Sequence, residues 1–276
     1  MNPKYPIYIP SKSRFDSRLT SKALEKLNIP YKIVIEKEEF NDYAKHIDKD
    51  KILVLPLSSQ GLVYSRNWIR EHSIELGYKR HWQLDDNIQD FYRLNRSKRL
   101  HVDNGTIFRC AEDFSDRYKN VALSGFNYMG LCVPNKRTKP YLLNGRIYSI
   151  TLCNNEMGYK WELAYNDDTD ISLRVFKDGN CTILFNAFLA DKAATMTVKG
   201  GLTENYTSNG RKETSKMLVD RHPDVCKLVY KWDRWHHHVN YKPFRKNKLI
   251  KVDNYDEIVK DGVDNYGMVL KYIGDE

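Results

Sequence analysis

Asp85 and Asp86, followed by the amide of Asn87, close a short apolar segment, His81–Leu84. Oxygen ligands of this kind suit a hard divalent cation, Mn2+ or Mg2+, which binds through one or two carboxylates together with phosphate oxygens. Such an ion neutralises the charge that builds on a departing diphosphate. An ordinary surface turn also favours Asp and Asn, and a bare Asp-Asp-Asn triplet reads that way. The context decides otherwise. The acids stand at the tip of a hydrophobic strand, where open α/β sheets bind ligands, and adjacent carboxylates demand an ion or a basic neighbour. Asp85, Asp86 and Asn87 are the expected metal ligands. Arg66 and Asn67, near the start of the preceding helix, are the expected brace, with the guanidinium facing a phosphate or the acidic tip. Alone, this pair would read as an exposed helix start capped by Ser65.

A second acidic group, Asn166-Asp167-Asp168-Thr169-Asp170, opens another helical run. Acids are favourable in any first helical turn, but a single cap does not need three of them. One is expected to act as general base on an incoming hydroxyl; Asp168 is preferred and Asp170 comes second. The segment Pro10-Ser11-Lys12-Ser13-Arg14 follows the first strand. Its hydroxyls, backbone N–H groups and Arg14 suit a ribose or a diphosphate, although it lacks the glycines and the Lys-Ser/Thr ending of a Walker loop. Glu36, at the tip of the second strand, suits hydrogen bonds from a uracil ring or ribose, and taken alone reads equally as a solvated strand end. Pro10, Ser11, Arg14, Glu36, Arg66, Asn67 and Asp85 are therefore expected around a nucleotide-sugar donor.

The elements needed to hold these groups alternate along the chain. Pro6–Pro10, Tyr31–Glu36, Ile52–Leu55 and His81–Leu84 read as strands. Thr20–Leu27, Glu38–Ile47 and Ser65–Leu76 read as the helices between them, with Thr20 as an N-cap and Gly77 as a stop. Apolar strands alternating with helices predict a parallel sheet covered by helices. Further on, Arg93–His101 reads as a basic loop and Thr106–Tyr118 as a helix. Val121–Met129 and Arg146–Cys153 read as strands of a mixed extension, Asp168–Phe176 as a helix ended by Gly179, and Cys181–Ala190 as a strand. Gly200–Gly210 reads as a mobile loop. The expected fold class is α/β, a Rossmann-type mixed sheet flanked by helices. Residues 1–210 are expected to form the domain and 211–276 a C-terminal extension packed on it, basic and then acidic.

The 276 residues carry 45 Lys and Arg against 36 Asp and Glu, a formal charge of +9, which favours a polyanionic partner. The five cysteines are scattered without a CxxC pair, so neither a zinc site nor a disulfide framework is indicated. A reducing, cytoplasmic setting is expected. No apolar run resembles a signal peptide or is long enough to span a membrane. Arg221–Lys251 holds nine Lys and Arg against two Asp, with Tyr230, Trp232, Trp235, Tyr241 and Phe244 interleaved. That mixture suits phosphate contacts and base stacking, but a helical layer with Trp232 and Trp235 packed on the sheet is the expectation. One of His236, His237 and His238, or His222, is a candidate to complete the cation's shell.

The Ser65-Arg66-Asn67-Trp68 helix leading into Gln83-Leu84-Asp85-Asp86-Asn87 resembles the Arg-Asn and DxD elements of GT-A glycosyltransferases. More narrowly, YIPSKSR, LTSKALEKLNIPYKIVIE, SRNWIREHSIELGYKRHWQLDDNI and NDDTDISLRV, in that order, are similar to the TET-associated glycosyltransferases. The matching blocks run from Tyr5 to Asp191. The resemblance implies a GT-A-like fold, a UDP-hexose donor, Mn2+ or Mg2+, and transfer of the sugar to hydroxymethylated pyrimidines in DNA, 5-hydroxymethylcytosine or 5-hydroxymethyluracil. It places Asp85 and Asp86 on the metal-diphosphate motif, Arg66 and Asn67 on its supporting pair, and Asp168 where an inverting enzyme keeps its base. On that reading the basic segments Arg96–Arg99 (Arg96, Lys98, Arg99), Lys136–Lys139 (Lys136, Arg137) and Arg221–Lys251 (Arg245, Lys246) contact DNA phosphates. The alternatives are a glycan, lipid-linked sugar or protein acceptor, a nucleotidyltransferase, and a non-catalytic DNA-binding protein.

Overall fold

The computed structural model describes residues 1–193 and 210–259. Its first strands are β1 (Ile7–Pro10), β2 (Lys32–Ile35), β3 (Ile52–Val54), β4 (Arg80–Leu84), β5 (Ile88–Asn95) and β6 (Lys98–His101). Then come β7 (Val121–Tyr128), β8 (Tyr141–Leu143), β9 (Ile150–Asn154) and β10 (Cys181–Lys192), and last β11 (Cys226–Lys231) and β12 (Arg234–Val239). The helices are α1 (Leu19–Lys26), α2 (Phe40–Tyr43), α3 (Gly61–Glu75), α4 (Thr106–Ser115), α5 (Asp167–Lys177), α6 (Gly210–Arg221) and α7 (Tyr255–Ile258).

Ten strands form one mixed sheet in the order β3-β2-β1-β4-β9-β7-β10-β5-β6, with β8 beside β10. β3, β2, β1 and β4 are mutually parallel, whereas β9 runs antiparallel to both β4 and β7. The chain steps outward from β1 to β3, then recrosses to lay β4 on the other side of β1. That reversal opens a crevice at the carboxyl ends of β1 and β4, the position at which open α/β sheets take ligands.

Side-chain alternation sends the strands' apolar groups to both faces. Ile7, Ile9, Trp82, Leu84 and Phe126 pack with Leu24 of α1 and Phe108 of α4. Tyr8 and Val34 face Ile69 of α3, while Leu123 and Leu184 face Leu173 and Phe176 of α5. The result is a sheet with helices on both faces, the α/β architecture that the strand-helix alternation predicts. α3 and α5 stop as expected, at Gly77 (φ 77°) and Gly179 (φ 78°). In each case the glycine N–H and the next N–H bond back into the last turn, Gly77 to Ile74 and Tyr78 to Ser73, Gly179 to Phe176 and Asn180 to Val175.

Elsewhere the structure departs from the sequence reading. α3 starts at Gly61 rather than Ser65, so Arg66 lies in its second turn and is buried, not at an exposed start. Arg93–His101 is not a loop: its ends belong to β5 and β6, joined by a two-residue turn at Arg96-Ser97 with both φ angles positive. α1 begins at Leu19 after Arg18, so Thr20 is not its cap. β9 starts at Ile150, four residues later than the apolar pattern suggests, because Ser149 takes a φ of 60°. α4 ends at Ser115.

Among the described residues the C-terminal part is α6, the β11–β12 hairpin and the short α7, not a helical layer. Leu218 of α6 joins Val225, Cys226 and Phe244 in the core cluster of α5. Trp232 does not pack on the sheet; it sits in the two-residue turn between β11 and β12 and is 80% exposed. Both turn residues, Trp232 (φ 53°) and Asp233 (φ 55°), are left-handed, a geometry that suits Asn-Gly and costs an ordinary side chain about 1–2 kcal/mol. The Gly200–Gly210 loop, apart from Gly210 in α6, and the acidic stretch beyond 259 lie outside the described residues.

Candidate active site

β4 ends at Leu84, and Asp85-Asp86-Asn87 form the turn into β5. Two hydroxyl residues fix that turn. Thr20 Oγ1 donates to the Asp85 carbonyl at 2.6 Å and accepts from the Ile88 N–H at 2.9 Å. The Asp85 N–H donates to the Ser149 carbonyl at 2.8 Å. Thr20 is thus a buried brace, which accounts for its place near, but not at, the start of α1.

The two carboxylates have separate partners. Asp86 accepts from Ser11 Oγ at 2.8 Å and pairs with Arg14, both from the loop after β1. Burial raises the pKa of the Asp86 carboxyl, against the pull of Arg14 and Ser11. Asp85 accepts from Ser149 Oγ at 2.6 Å, Lys192 Nζ at 2.8 Å and Arg66 Nη2 at 3.3 Å. Burial would push the Asp85 carboxyl up, but Lys192 and Arg66 outweigh it and bring it to about 2. Lys192 is a functional residue that the sequence reading missed. β10 runs two residues past the predicted Ala190, and a register shift between Asp191 and Lys192 breaks the strand alternation there. Bulges of this kind re-aim side chains beside active sites. No residue pattern announced this one.

Arg66 is the hub. It is only 3% exposed, with Nη2 3.3 Å from Asp85, Nε 3.2 Å from Asp167 and Nη2 3.9 Å from Asp168. Its guanidinium lies 4.2 Å from the centre of the Trp161 ring. Asn67 fixes that ring, donating to the Trp161 carbonyl at 2.8 Å and accepting from its N–H at 2.9 Å. Arg66 and Asn67 therefore brace the site as a pair, although Asn67 spends both polar atoms on the Trp161 backbone.

α5 opens with Asn166 in the left-handed conformation (φ 57°), which Asn tolerates, and this presents Asp167 and Asp168 to Arg66. Burial, reinforced by neighbouring Asp167 and opposed by Arg66, pushes Asp168 up to about 7. Its Oδ1 is buried with no hydrogen-bond partner among the described residues. Three cations, Arg14, Arg66 and Lys192, thus face four carboxylates, Asp85, Asp86, Asp167 and Asp168. Burial, reinforced by the neighbouring carboxylates and opposed by Arg66, keeps the Asp167–Asp168 pair from ionising fully.

The remaining expected residues divide between this crevice and other places. Pro10 ends β1 and Ser11 begins the loop that meets Asp86. Glu36, just past β2, accepts from Lys12 Nζ and from the Ser59 N–H, each at 2.9 Å. Asp170 is not brought to the cluster: fully buried, it accepts from Arg174 at 3.0 Å, Arg221 at 2.6 Å and His222 at 2.9 Å. Those contacts tie α5 to the end of α6 and hold the Asp170 carboxyl low despite its burial. His222 is spent there too. His236 approaches Arg234 and Trp232, and His237 pairs across the hairpin with Leu228, so no contact carries a histidine to Asp85 or Asp86 among the described residues. Arg96, Lys98, Lys136, Arg137, Arg245 and Lys246 are exposed. Arg99 reaches across to the Cys132 carbonyl at 2.8 Å, joining the β5–β6 hairpin to the segment that carries Lys136 and Arg137.

Among the described residues no group of three or more His, Cys, Asp or Glu side chains is arranged to hold a metal ion. The oxygens present still match a hard cation of the Mg2+ or Mn2+ kind, which takes few protein ligands and completes its shell with phosphate and water. Asn87 Oδ1, in the same turn, is buried without a hydrogen-bond partner among the described residues.

The TET-associated glycosyltransferase family matches residues 5–201, and the chain belongs to that family. It is accordingly a glycosyltransferase of the group associated with modified DNA bases. No curated protein matches the chain. Among solved structures it is similar to mannose-1-phosphate geranyltransferase from Thermus thermophilus, at 11% identity and a TM-score of 0.33, over 78% of this chain and 64% of that one. It is also similar to mannose-6-phosphate isomerase from Helicobacter pylori, at 11% identity and a TM-score of 0.27, over 91% of each chain. At that overlap neither bears on the chemistry. No helix among the described residues is long and apolar enough to cross a membrane.

Proposed function

We propose that the protein transfers a hexose from a UDP-sugar to the hydroxymethyl group of a modified pyrimidine, 5-hydroxymethylcytosine or 5-hydroxymethyluracil, in DNA. The observation that carries this reading is the Arg66 cluster. One buried guanidinium ties the acidic turn after β4 to Asp168 at the mouth of α5, joining a diphosphate-side group and a hydroxyl-side base at the crevice.

The loop Pro10–Arg14 and Glu36 take the nucleoside and ribose, at the ends of β1 and β2. Asp85, Asp86 and Asn87 Oδ1 would hold the divalent cation, which when bound would supply positive charge to the diphosphate. Lys192 and Arg14, already at those carboxylates, bring two further positive charges within reach of the leaving group. The Asp168 carboxylate takes the proton of the acceptor CH2–OH as its oxygen attacks the anomeric carbon, and the bond to the UDP oxygen breaks with its electron pair leaving on UDP. A base whose pKa sits near the working pH is suited to this step. On this reading no carboxylate of the cluster attacks the sugar itself, and the single displacement inverts the anomeric centre. Arg96, Lys98, Arg99, Lys136, Arg137, Arg245 and Lys246 supply positive charge for the DNA backbone.

The test is incubation of the protein with hydroxymethylated DNA, a panel of UDP-hexoses and Mn2+, followed by digestion and mass analysis of the nucleosides. One hexose added to the modified base, lost in Asp168→Asn, supports the reading. Sugar appearing only on glycan or protein acceptors assigns another acceptor and rejects it.

A further inference from the structure

The β11–β12 hairpin lies outside residues 5–201, so family membership says nothing about its purpose. Its two faces differ. Cys226 and Val239 turn into the α5 core, and Trp235 on the same face lies beneath Lys212 of α6, 5.1 Å from the ring centre. The other face carries Lys227, Lys231, Arg234, His236 and His238. Among the described residues no ion pair engages Lys227, Lys231 or Arg234. Trp232 stands at the tip, with His236 edge-on at 5.6 Å. Trp232 therefore leaves most of its ring to solvent at a turn whose two residues are both left-handed.

The hairpin packs against α6, and α6 in turn is tied to the start of α5. Asn166, which caps α5, donates to the Thr214 carbonyl of α6 at 2.8 Å, and Asp170 grips Arg221 and His222. Arg146 donates to Thr169 Oγ1 at 3.3 Å, and its charge acts on both Asp168 and His237 of the inner face.

We infer that this hairpin is a DNA-binding ribbon, with Lys227, Lys231 and Arg234 on backbone phosphates and Trp232 stacked on an exposed nucleobase. A two-stranded ribbon fits the major groove, where a C5 hydroxymethyl group projects. Aromatic stacking is available only against a base that has left its own stack, so the tip holds the strand open beside the target. The inference rests on the proposed DNA acceptor and adds to it a site and a mode of contact.

Trp232→Asn provides the test, because Asn suits the left-handed turn and removes only the ring. Binding of the full-length protein to a fluorescent single-stranded oligonucleotide containing 5-hydroxymethylcytosine is measured by anisotropy, beside thermal unfolding. The expected result is a fall in affinity of about 5- to 100-fold with unchanged or higher Tm. Trp232→Phe retains most of the binding. Lys231→Ala with Arg234→Ala flattens the salt dependence of binding. Equal affinity of wild type and Trp232→Asn overturns the ribbon while leaving the glycosyltransferase reading intact. A change of oligomeric state in Trp232→Asn overturns it in favour of a self-association surface. Trp232-dependent DNA binding without sugar transfer to that DNA would retain the ribbon and reject the acceptor.

Discussion

Asp168 combines burial, a neighbouring carboxylate and an unbonded oxygen, and these make its predicted behaviour specific. In the proposed reaction the deprotonated form is the base, so turnover on hydroxymethylated DNA should rise with pH through about 7 and level off above it, read from a pH–kcat profile. Asp168→Asn should lower kcat by roughly 10²–10⁴-fold with little change in the KM for donor. Stability should move the other way. The folded pKa lies above the unfolded one, so folding stability is lost as pH rises from about 4 towards about 7. Thermal unfolding of Asp168→Asn should therefore exceed wild type by more at pH 8 than at pH 5. Arg66 is the opposite case. Arg66→Met strands Asp85, Asp167 and Asp168 together, and denaturant unfolding should show a loss of about 3–5 kcal/mol. The acids at this scale were legible from the sequence, since Asp85, Asp86 and Asp168 bear their chemistry in their residue type and their place at element ends. Lys192 was not, because only a bulge in β10 turns it towards Asp85.

The elements hold the cluster through a few close approaches. Gly125 of β7 faces β9 so tightly that a Cβ would lie 2.1 Å from the Ile150 carbonyl oxygen. Gly125→Ala must push β9 aside and with it Ser149, which holds Asp85. It should cost about 1–3 kcal/mol in denaturant unfolding and impair turnover beyond that loss. A glycine within a strand signals close backbone approach in general, but not which neighbour approaches. The first four strands were readable because apolar runs mark them, and α3 stops at Gly77 as read, whereas the helix read over Glu38–Ile47 is only α2, Phe40–Tyr43. The β5–β6 and β11–β12 hairpins were not readable. Their turns, Arg96-Ser97 and Trp232-Asp233, lack the Asn-Gly signal, and their strands are too basic to alternate cleanly. The same holds for Asp170, whose partners Arg221 and His222 lie some fifty residues along the chain, beyond local pattern.

For the whole molecule, the formal charge of +9 is carried in part by exposed lysines and arginines on the β5–β6 hairpin, the segment around Lys136, and the C-terminal part. If these meet DNA phosphates, the KM for a DNA acceptor should climb steeply between 50 and 200 mM salt, roughly as counterion release dictates, while the KM for the UDP-sugar changes little. The sheet order, with β4 recrossing β1, is what brings the loop after β1, the acidic turn and α5 to one crevice. The most direct measurement of the account is a crystal structure of the protein with UDP and Mn2+. It should place the pyrophosphate and the ion against Asp85, Asp86 and Asn87, the uridine by Pro10–Arg14 and Glu36, and Asp168 facing the open side where the hexose would sit. UDP bound elsewhere, with those carboxylates still holding only Arg14, Arg66 and Lys192, would contradict it.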